Sequence, residues 1–267
     1  DARATIHRSM RSALLRFLVL HASCLARALS MRYLIVRHGQ TNHNAQGILQ
    51  GSSDVSRLTP LGEEQARQLG LALKATSDLA CVDRVFVSTL TRAQQTLRGL
   101  EQSSELTLPE ARVLSELREV DLGSWEGRAK ADIVVEQPVP YAAWQSAPLD
   151  FSIDDGFRPV VELWGRAHLA WELMRTDETA EGDELTLVVS HNACGQALLC
   201  TALGLDETHF RSFDFPNCGA AEVMIEPGPA APVRWRWRLP VEIADGEWHT
   251  GPMEQKARGS SENRRRP

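Results

Sequence analysis

Two short apolar runs that each end in a histidine constrain the fold of this chain most strongly. The run at residues 32–36 (RYLIV) leads into RHG, whose histidine is His38, and the run at residues 184–189 (ELTLVV) leads into SHN, whose histidine is His191. Continuous apolar runs of this length are typical of strands buried on both faces of a parallel sheet. Because ligands bind beyond the carboxyl ends of such strands, we expect both imidazoles to face one crevice.

Helix signals separate these runs from further strand signals. Thr59-Pro60 combines a hydroxyl N-cap with proline at the first helical position. The predicted elements are strands at 32–36, 83–87 and 184–189, helices starting at 60, over 92–100, over 160–174 and from 192 to 203, and an antiparallel strand pair at 221–225 and 233–239. Strands that alternate with helices predict an α/β fold of three layers, α/β/α, with a mostly parallel central sheet.

Two segments carry more specific expectations. Residues 137–159 are rich in proline and turn residues, which predicts a loop with a short helix near residues 141–145. In the last predicted strand, apolar residues alternate with Arg234, Arg236 and Arg238. Alternation of this kind predicts a strand with one face in solvent.

The charge distribution argues against a nucleic-acid partner. The net charge of −6 consists of +4 on residues 1–30, +3 on residues 254–267 and −13 on the body between them. A nucleic-acid surface needs clustered lysine and arginine, so this acidic body must hold any anion with a few well-placed cations. No apolar run approaches the ~20 residues of a membrane span. The sequence does not decide the oligomeric state, and a homodimer is one of the possibilities.

The two ends of the chain differ from its body. Residues 1–30 are rich in Arg, Ala and Ser, which is typical of an organelle transit peptide; a spurious or untargeted extension and a secretory signal are the alternatives. Residues 254–267 are predicted to form a disordered basic tail, which leaves residues 31–253 as the folded domain. The scattered cysteines, with no C-x-x-C pair, indicate reduced thiols rather than a disulfide frame or a zinc site; they are Cys24, Cys81, Cys194, Cys200 and Cys218.

The sequence RHGQT at residues 37–41 contains groups that phosphoryl transfer requires. A phosphoryl group needs cations and N–H donors around its oxygens and an in-line nucleophile, and neutral imidazole is a good nucleophile. Arg37 supplies a cation beside His38, and like-charge repulsion favours the neutral imidazole. Alone, this segment is equally consistent with an ordinary polar histidine at a strand end.

Two further segments fit the same chemistry. Arg92 lies in the first turn of the helix predicted after the second strand, where N–H groups and a guanidinium form an anion site. Glu119 lies in a glycine-containing loop at residues 117–127 (LREVDLGSWEG), and Trp125 of that loop is the tryptophan expected to line the ligand pocket. Alone, Arg92 and Glu119 are also consistent with solvated surface positions.

Together, these motifs resemble the histidine phosphatase superfamily in its phosphoglycerate-mutase-like branch. The ordered set R-H-G-x-T, S-x-L-x-R-A-x-x-T, L-x-E-x-x-x-G-x-x-E-G and S-H-N covers about residues 31–226. The resemblance implies that His38 becomes phosphorylated and that Glu119 protonates the leaving oxygen and then activates water, with no metal and no cofactor. The residues that it implies for binding the phosphorylated substrate are Arg37, Asn44, Gln50, Gly51, Arg92, His191 and Asn192.

Segments outside these motifs resemble a narrower group, the plant chloroplast 2-carboxy-D-arabinitol-1-phosphatases. These segments lie at residues 46–58, 162–167, 191–212 and 217–219. This resemblance implies a phosphomonoesterase for a small phosphorylated sugar or sugar acid, such as 2-carboxy-D-arabinitol 1-phosphate. It also implies a location in the chloroplast or another plastid, with the cytoplasm as the alternative.

Three other functions are compared with this one. A phosphoglycerate mutase must exclude water so that the phosphohistidine survives, and the Trp-containing segment 119–127 resembles the phosphatases more than the mutases. A non-catalytic phospholigand-binding module predicts loss of at least one of His38, Arg92, Glu119 or His191, and none is lost. A phosphoprotein phosphatase would need an open groove.

Overall fold

The described part of the protein is built around a six-stranded sheet. A computed structural model describes residues 30–76, 78–176, 185–226, 233–239 and 246–252. The strands are β1 (Met31–Arg37), β2 (Val82–Ser88), β3 (Arg112–Leu114), β4 (Leu185–Ser190), β5 (Ala220–Ile225) and β6 (Val233–Leu239). They lie in the order β3-β2-β4-β1-β5-β6. The predicted extension at residues 1–30, apart from Ser30, and the predicted tail at residues 254–267 lie outside the described residues.

The sheet is mostly parallel, as predicted. β3, β2, β4 and β1 run in one direction, whereas β5 is antiparallel to β1 and β6 is antiparallel to β5. The register of β1 on β4 runs from Arg32 beside Leu185 to Arg37 beside Ser190. The two strands therefore end at the same level, and the histidine that follows each of them is placed at one edge of the sheet.

Helices cover both faces of the sheet, which confirms the three-layer α/β/α fold. The helices are α1 (Asn42–Gln46), α2 (Pro60–Ala75), α3 (Thr91–Ser104), α4 (Lys130–Glu136), α5 (Pro138–Ser146), α6 (Pro159–Arg175) and α7 (Asn192–Ala202). Leu34 and Val36 of β1 belong to the core beneath α2 and α3, whereas Tyr33 and Ile35 belong to the core beneath α6 and α7. This alternation follows from the two-residue period of a strand.

Polar side chains define where α2 and α3, the helices on one face of the sheet, begin. Thr59 accepts a hydrogen bond from the backbone N–H of Gly62 at 3.0 Å, as expected for the predicted N-cap of α2. At α3, the capping group comes from a distant loop. Asp54 accepts from the Thr91 backbone N–H at 2.6 Å and from its hydroxyl at 2.8 Å. The loop at residues 50–56 is therefore tied to the start of α3, one residue before Arg92.

The prediction that one face of β6 lies in solvent is only partly correct. Trp235 and Trp237 are buried, but the alternating arginines are not simply solvated, because Arg236 and Arg238 bond to Glu222 of β5, as does Arg32 of β1. Burial raises the pKa of Glu222, but hydrogen bonds from Arg236 and Arg32 outweigh it, and the pKa lies below its ordinary value. The arginines of this face thus hold a buried carboxylate.

The segments between the main elements hold more helix than the sequence indicates. The short helix predicted near residues 141–145 is present as the longer α5, whereas the short helices α1 and α4 were not predicted. In the described ranges, no helix is long and apolar enough to cross a membrane.

Candidate active site

The two strand-end histidines lie side by side, as expected from the strand register. His38 follows β1 and donates its backbone N–H to Ser190 O, the last carbonyl of β4, at 3.0 Å. The rings of His38 and His191 have centroids 5.1 Å apart, and both residues are buried, with exposed fractions of 2% and 0%. Two imidazoles that are 153 positions apart in the sequence therefore belong to one site.

Hydrogen bonding fixes the tautomer of His38. Its Nδ1 lies 2.7 Å from the carbonyl oxygen of Gly39, which can only accept, so Nδ1 carries the proton and Nε2 keeps its lone pair. Burial, followed by the charges of Arg92 and Arg37, lowers the pKa of His38 well below 6.5. The side chain is therefore a neutral imidazole with one nucleophilic nitrogen.

His191 adopts the opposite tautomer. Arg92 Nε donates to His191 Nδ1 at 3.2 Å, so the proton lies on Nε2, which is 2.8 Å from the hydroxyl oxygen of Ser88 at the end of β2. Burial, and then the charge of Arg92, lowers the pKa of His191 well below 6.5. Ser88 is thus a partner of the second histidine that no sequence motif indicated.

The Arg92 guanidinium joins the histidine pair to the loop at residues 50–56. It is fully buried and donates to Gly51 O and Ser53 O, each at 2.8 Å, as well as to His191. Burial lowers the pKa of Arg92 to about 10, so the group is still a cation at neutral pH. Arg92 therefore contributes positive charge next to both imidazoles and also positions the loop.

Arg37 is the second cation of the site. It is half-buried, lines the same pocket as His38, and donates from Nη1 to Phe215 O at 2.5 Å. Burial lowers the pKa of Arg37 below its ordinary value, although the carboxylates of Glu119 and Asp214 oppose the shift. A guanidinium held by one carbonyl keeps further N–H donors for an anion.

The carboxylate of Glu119 sits at the N-terminus of α7. Its Oε1 accepts from the backbone N–H groups of Val120 at 2.9 Å and Cys194 at 3.2 Å, and its Oε2 accepts from Ala193 at 3.3 Å. Arg166 of α6 bonds to the carbonyl oxygen of Glu119 and so fixes the backbone of the loop. The half-buried carboxylate lines the pocket that contains His38.

Three amide side chains complete the polar lining. The Oδ1 of Asn44 accepts from Thr41 N at 3.2 Å, and the Oδ1 of Asn192 accepts from Phe215 N at 3.2 Å. Because a backbone N–H can only donate, each oxygen is fixed toward the protein, and the –NH₂ groups are the donors left for a ligand. The Oε1 of Gln50 is bonded to the hydroxyl groups of Thr41 and Ser56.

These groups surround a small pocket of about 190 Å³. Of the residues predicted from the sequence, those that line it are Arg37, His38, Asn44, Gln50, Gly51, Glu119 and Asn192. Arg92 and His191 are fully buried and contact the pocket residues without lining it. The expectation for Trp125 is wrong: it is fully buried against Phe151, and Trp144 lines the pocket instead.

Several lining residues carry no signal in the motifs. They are Ile48, Leu49, Val120, Leu122, Trp144, Ala193, Gln196, Phe210 and Arg211. Gln196 could have been found from helical spacing, since it lies four residues after Asn192 on α7. Arg211 lies in the segment 191–212 that the narrower resemblance includes, but no local pattern places it at the pocket, since it contacts α5 through Trp144 O.

Comparison with known proteins agrees with this geometry. The family model of the histidine phosphatase superfamily (branch 1) matches residues 33–238. The chain is 42% identical over 199 residues to the 2-carboxy-D-arabinitol-1-phosphatase of Triticum aestivum, a match that covers 74% of this chain and 38% of that protein. The chain thus spans well under half the length of this relative.

Two further proteins are similar over most of their lengths. A Salmonella arizonae protein with the name "Probable phosphoglycerate mutase GpmB" is 31% identical over 195 residues, covering 72% of this chain and 84% of that protein. The solved structure of a mycobacterial glucosyl-3-phosphoglycerate phosphatase in complex with VO3 has a TM-score of 0.63 and 26% identity, and covers 78% of this chain and 98% of that chain.

Proposed function

Because the chain belongs to the histidine phosphatase superfamily, we propose that it hydrolyses phosphate monoesters through a phosphohistidine on His38. The observation that carries this proposal is the state of His38, a buried neutral imidazole whose Nδ1 is bound to Gly39 O, so that Nε2 is the nucleophile. The cations Arg37 and Arg92 lie close enough to lower its pKa, which places positive charge where a phosphoryl group would arrive.

In the first step, Nε2 of His38 attacks phosphorus as the bond to the ester oxygen breaks. Glu119, in its protonated form, donates a proton to that oxygen, and the alcohol leaves. Arg37 and the –NH₂ group of Asn44 bind the phosphoryl oxygens, because both line the pocket with donors. In the second step, water attacks phosphorus, Glu119 takes a proton from that water, and the N–P bond breaks to release inorganic phosphate and neutral His38.

The buried guanidinium of Arg92 stabilises the negative charge that arrives at His38. Transfer of the phosphoryl group brings negative charge next to His38, and the buried cation of Arg92 lies within reach of both imidazoles. In a buried site this attraction is stronger than in water. Removing Arg92 would also release the Gly51 and Ser53 carbonyls, so its loss would disturb the pocket wall as well.

The phosphatase reaction is favoured over the mutase reaction. The relative with the higher identity is a 2-carboxy-D-arabinitol-1-phosphatase, at 42%, whereas the relative named as a mutase is 31% identical. With 3-phosphoglycerate, we expect release of inorganic phosphate to exceed formation of 2-phosphoglycerate. Interconversion of the two phosphoglycerates without phosphate release would assign the mutase reaction instead.

The proposed substrate is a small phosphorylated sugar or sugar acid, and 2-carboxy-D-arabinitol 1-phosphate is the first candidate. Its support is the name of the Triticum aestivum relative together with the size of the pocket, about 190 Å³.

The test is phosphate release from a panel of phosphorylated metabolites. The panel contains 2-carboxy-D-arabinitol 1-phosphate, xylulose bisphosphate, fructose 2,6-bisphosphate, phosphoglycerates and phosphoserine. We expect His38→Ala to lower kcat on every accepted substrate by at least about 10³-fold, the effect of losing a nucleophile. His168→Ala is the matched control, because His168 is exposed on α6. Phosphate release by His38→Ala within tenfold of wild type would contradict the proposal.

We also propose that the protein is imported into a plastid. The support is the Arg-, Ala- and Ser-rich composition of residues 1–30 and the similarity to a plant enzyme. A fluorescent protein fused to the C-terminus of the full chain should co-localise with plastids in leaf cells, and deletion of residues 1–30 should abolish this. Cytoplasmic fluorescence of the full-chain fusion would contradict it.

A further inference from the structure

The Oε1 atom of Gln196 lies unpaired beside the catalytic pocket. The Nε2 of Gln196 donates to Asn192 Oδ1 at 3.0 Å, and that oxygen also accepts from Phe215 N at 3.2 Å. Since a backbone N–H must face an oxygen, the orientation of Asn192 is fixed, and so is that of Gln196. Within the described residues, Gln196 Oε1 has no hydrogen-bond partner, and the residue is only 4% exposed.

A buried acceptor without a donor is unfavourable, by about 1–3 kcal/mol in proteins generally. Gln196 lines the same pocket as His38 and Glu119, so the donor that would satisfy it can come from a ligand. Among the groups of a phosphorylated polyol, only hydroxyls are donors at neutral pH. The Gln196 oxygen therefore selects a ligand with a hydroxyl group near the phosphate.

Arg211 supplies a second group to the same pocket. Its guanidinium lies over the Trp144 ring at 4.6 Å and over the Phe210 ring at 5.1 Å, and Nη2 donates to Trp144 O at 3.0 Å. The backbone of Arg211 has φ of 81°, a left-handed conformation that is unfavourable for a residue with a side chain. The planar cation is thus held in one orientation on the pocket wall.

A fixed guanidinium is suited to a planar anion. Arg binds carboxylates through two parallel N–H donors, and stacking on aromatic rings reduces the entropy lost on binding. Arg37 lies beside the nucleophile and is assigned to the phosphoryl group, whereas Arg211 belongs to a separate turn after α7. Two guanidinium groups on the wall of one pocket suit a ligand that carries two anionic groups, a phosphate and a carboxylate.

We propose that Gln196 and Arg211 form a subsite for the substrate beyond its phosphate, in which Gln196 accepts from a hydroxyl and Arg211 binds a carboxylate. The inference rests on the proposed phosphatase function, and it narrows the substrate class to hydroxylated acids with a phosphate ester. Within that class, the carboxylate determines which substrates are accepted, whereas the bond that breaks is in the phosphate ester.

The test compares two substrates that differ only in the carboxylate, 2-carboxy-D-arabinitol 1-phosphate and D-arabinitol 1-phosphate. The quantity measured is the ratio of their kcat/KM values. Wild type should prefer the carboxylated ester, and Arg211→Met should reduce the ratio about 10- to 100-fold, as expected for loss of a charge-assisted hydrogen bond. Arg211→Lys keeps the charge but loses the fork geometry, so its ratio should fall in between.

Gln196→Met tests the hydroxyl acceptor with a side chain of similar size. It should lower kcat/KM for D-arabinitol 1-phosphate about fivefold relative to p-nitrophenyl phosphate, which has no hydroxyl to donate. Arg175→Met is the matched control, because Arg175 also lies over a tryptophan, Trp171, at 5.3 Å, but not in this pocket. For Arg175→Met, both the ratio for the two arabinitol esters and the ratio to p-nitrophenyl phosphate should stay within twofold of wild type. Circular dichroism verifies the fold of each variant.

The outcomes separate the subsite from the reaction itself. The carboxylate assignment would be overturned if wild type releases phosphate but both Arg211 variants keep its ratio of kcat/KM values for the two arabinitol esters within twofold. An unchanged ratio in Gln196→Met would overturn the hydroxyl assignment. Failure of wild type to release phosphate from any of these esters would instead overturn the proposed function, and the subsite with it.

Discussion

Replacing Glu119 with glutamine removes the proposed proton donor with the smallest change in shape. The amide oxygen can take the place of Oε1 and accept from the Val120 and Cys194 N–H groups, at 2.9 and 3.2 Å in the native site. The amide nitrogen then faces the Ala193 N–H, whose bond at 3.3 Å is lost. An N–H group left without an acceptor costs about 1–3 kcal/mol, which is less than the stability of about 5–15 kcal/mol that is typical of proteins, so the variant should fold.

Turnover should fall much further than stability. General acid–base catalysis contributes about 10²–10⁴-fold, and we expect kcat of Glu119→Gln on an alkyl phosphate such as D-arabinitol 1-phosphate to fall by that factor. With p-nitrophenyl phosphate, the leaving group departs without a proton, so the first step should survive while attack of water is slow. Stopped-flow absorbance should then show a burst of about one nitrophenolate per protein molecule.

Asp121→Asn is the matched control for this experiment. It makes the same chemical change two residues away, but Asp121 bonds to Gly123 N and does not line the pocket of His38. Its kcat should stay within about threefold of wild type. The reasoning is refuted if Glu119→Gln keeps more than a tenth of wild-type kcat on the alkyl ester, or if both variants lose activity equally.

Three further predictions concern protonation and the loop at residues 50–56. In an NMR titration, His38 should still be neutral at pH 6.5, because burial and two nearby guanidinium groups lower its pKa; a midpoint at or above pH 6.5 would contradict this. The pKa of Glu222 is lowered in the folded state, so the stability that this group contributes should be full above the ordinary value of 4.5 and lost as pH falls below it. Chemical denaturation should show a larger acid-dependent loss of stability in wild type than in Glu222→Gln; equal loss in the two proteins would contradict the prediction. Gly51→Ala should destabilise the protein more than Gly47→Ala, because both glycines have positive φ but only at Gly51 would the added carbon lie 2.0 Å from Glu126 Oε1. The left-handed backbone alone costs about 1–2 kcal/mol, and equal melting temperatures for the two variants would show that the Glu126 contact is unimportant.

The sequence predicts the parts of the site that depend on the central sheet. Because apolar runs fix β1 and β4 as buried parallel strands, the meeting of His38 and His191 follows from their positions at the strand ends. The helix start that carries Arg92 is predictable for the same reason. Phosphate-binding chemistry therefore follows from local patterns combined with one rule about parallel sheets.

The walls of the pocket are not predictable in this way. Trp125 and Trp144 both lie in helical or looped segments outside the sheet, and only the packing of α5 decides that Trp144 faces the pocket. The bond between Ser88 and His191 spans 103 positions and has no local signal. The arginines of β6 look solvated because the buried partner, Glu222, lies on another strand.

The most direct test of the central claim is to locate the phosphoryl group on the enzyme during turnover. Wild-type protein mixed rapidly with substrate, quenched in base and digested should yield one phosphorylated peptide that contains His38. The phosphorus should be bonded to Nε2, because Nδ1 is held by Gly39 O, and His38→Ala should yield no such peptide. Phosphate found on His191, on a hydroxyl side chain, or on no residue while turnover continues would contradict the account.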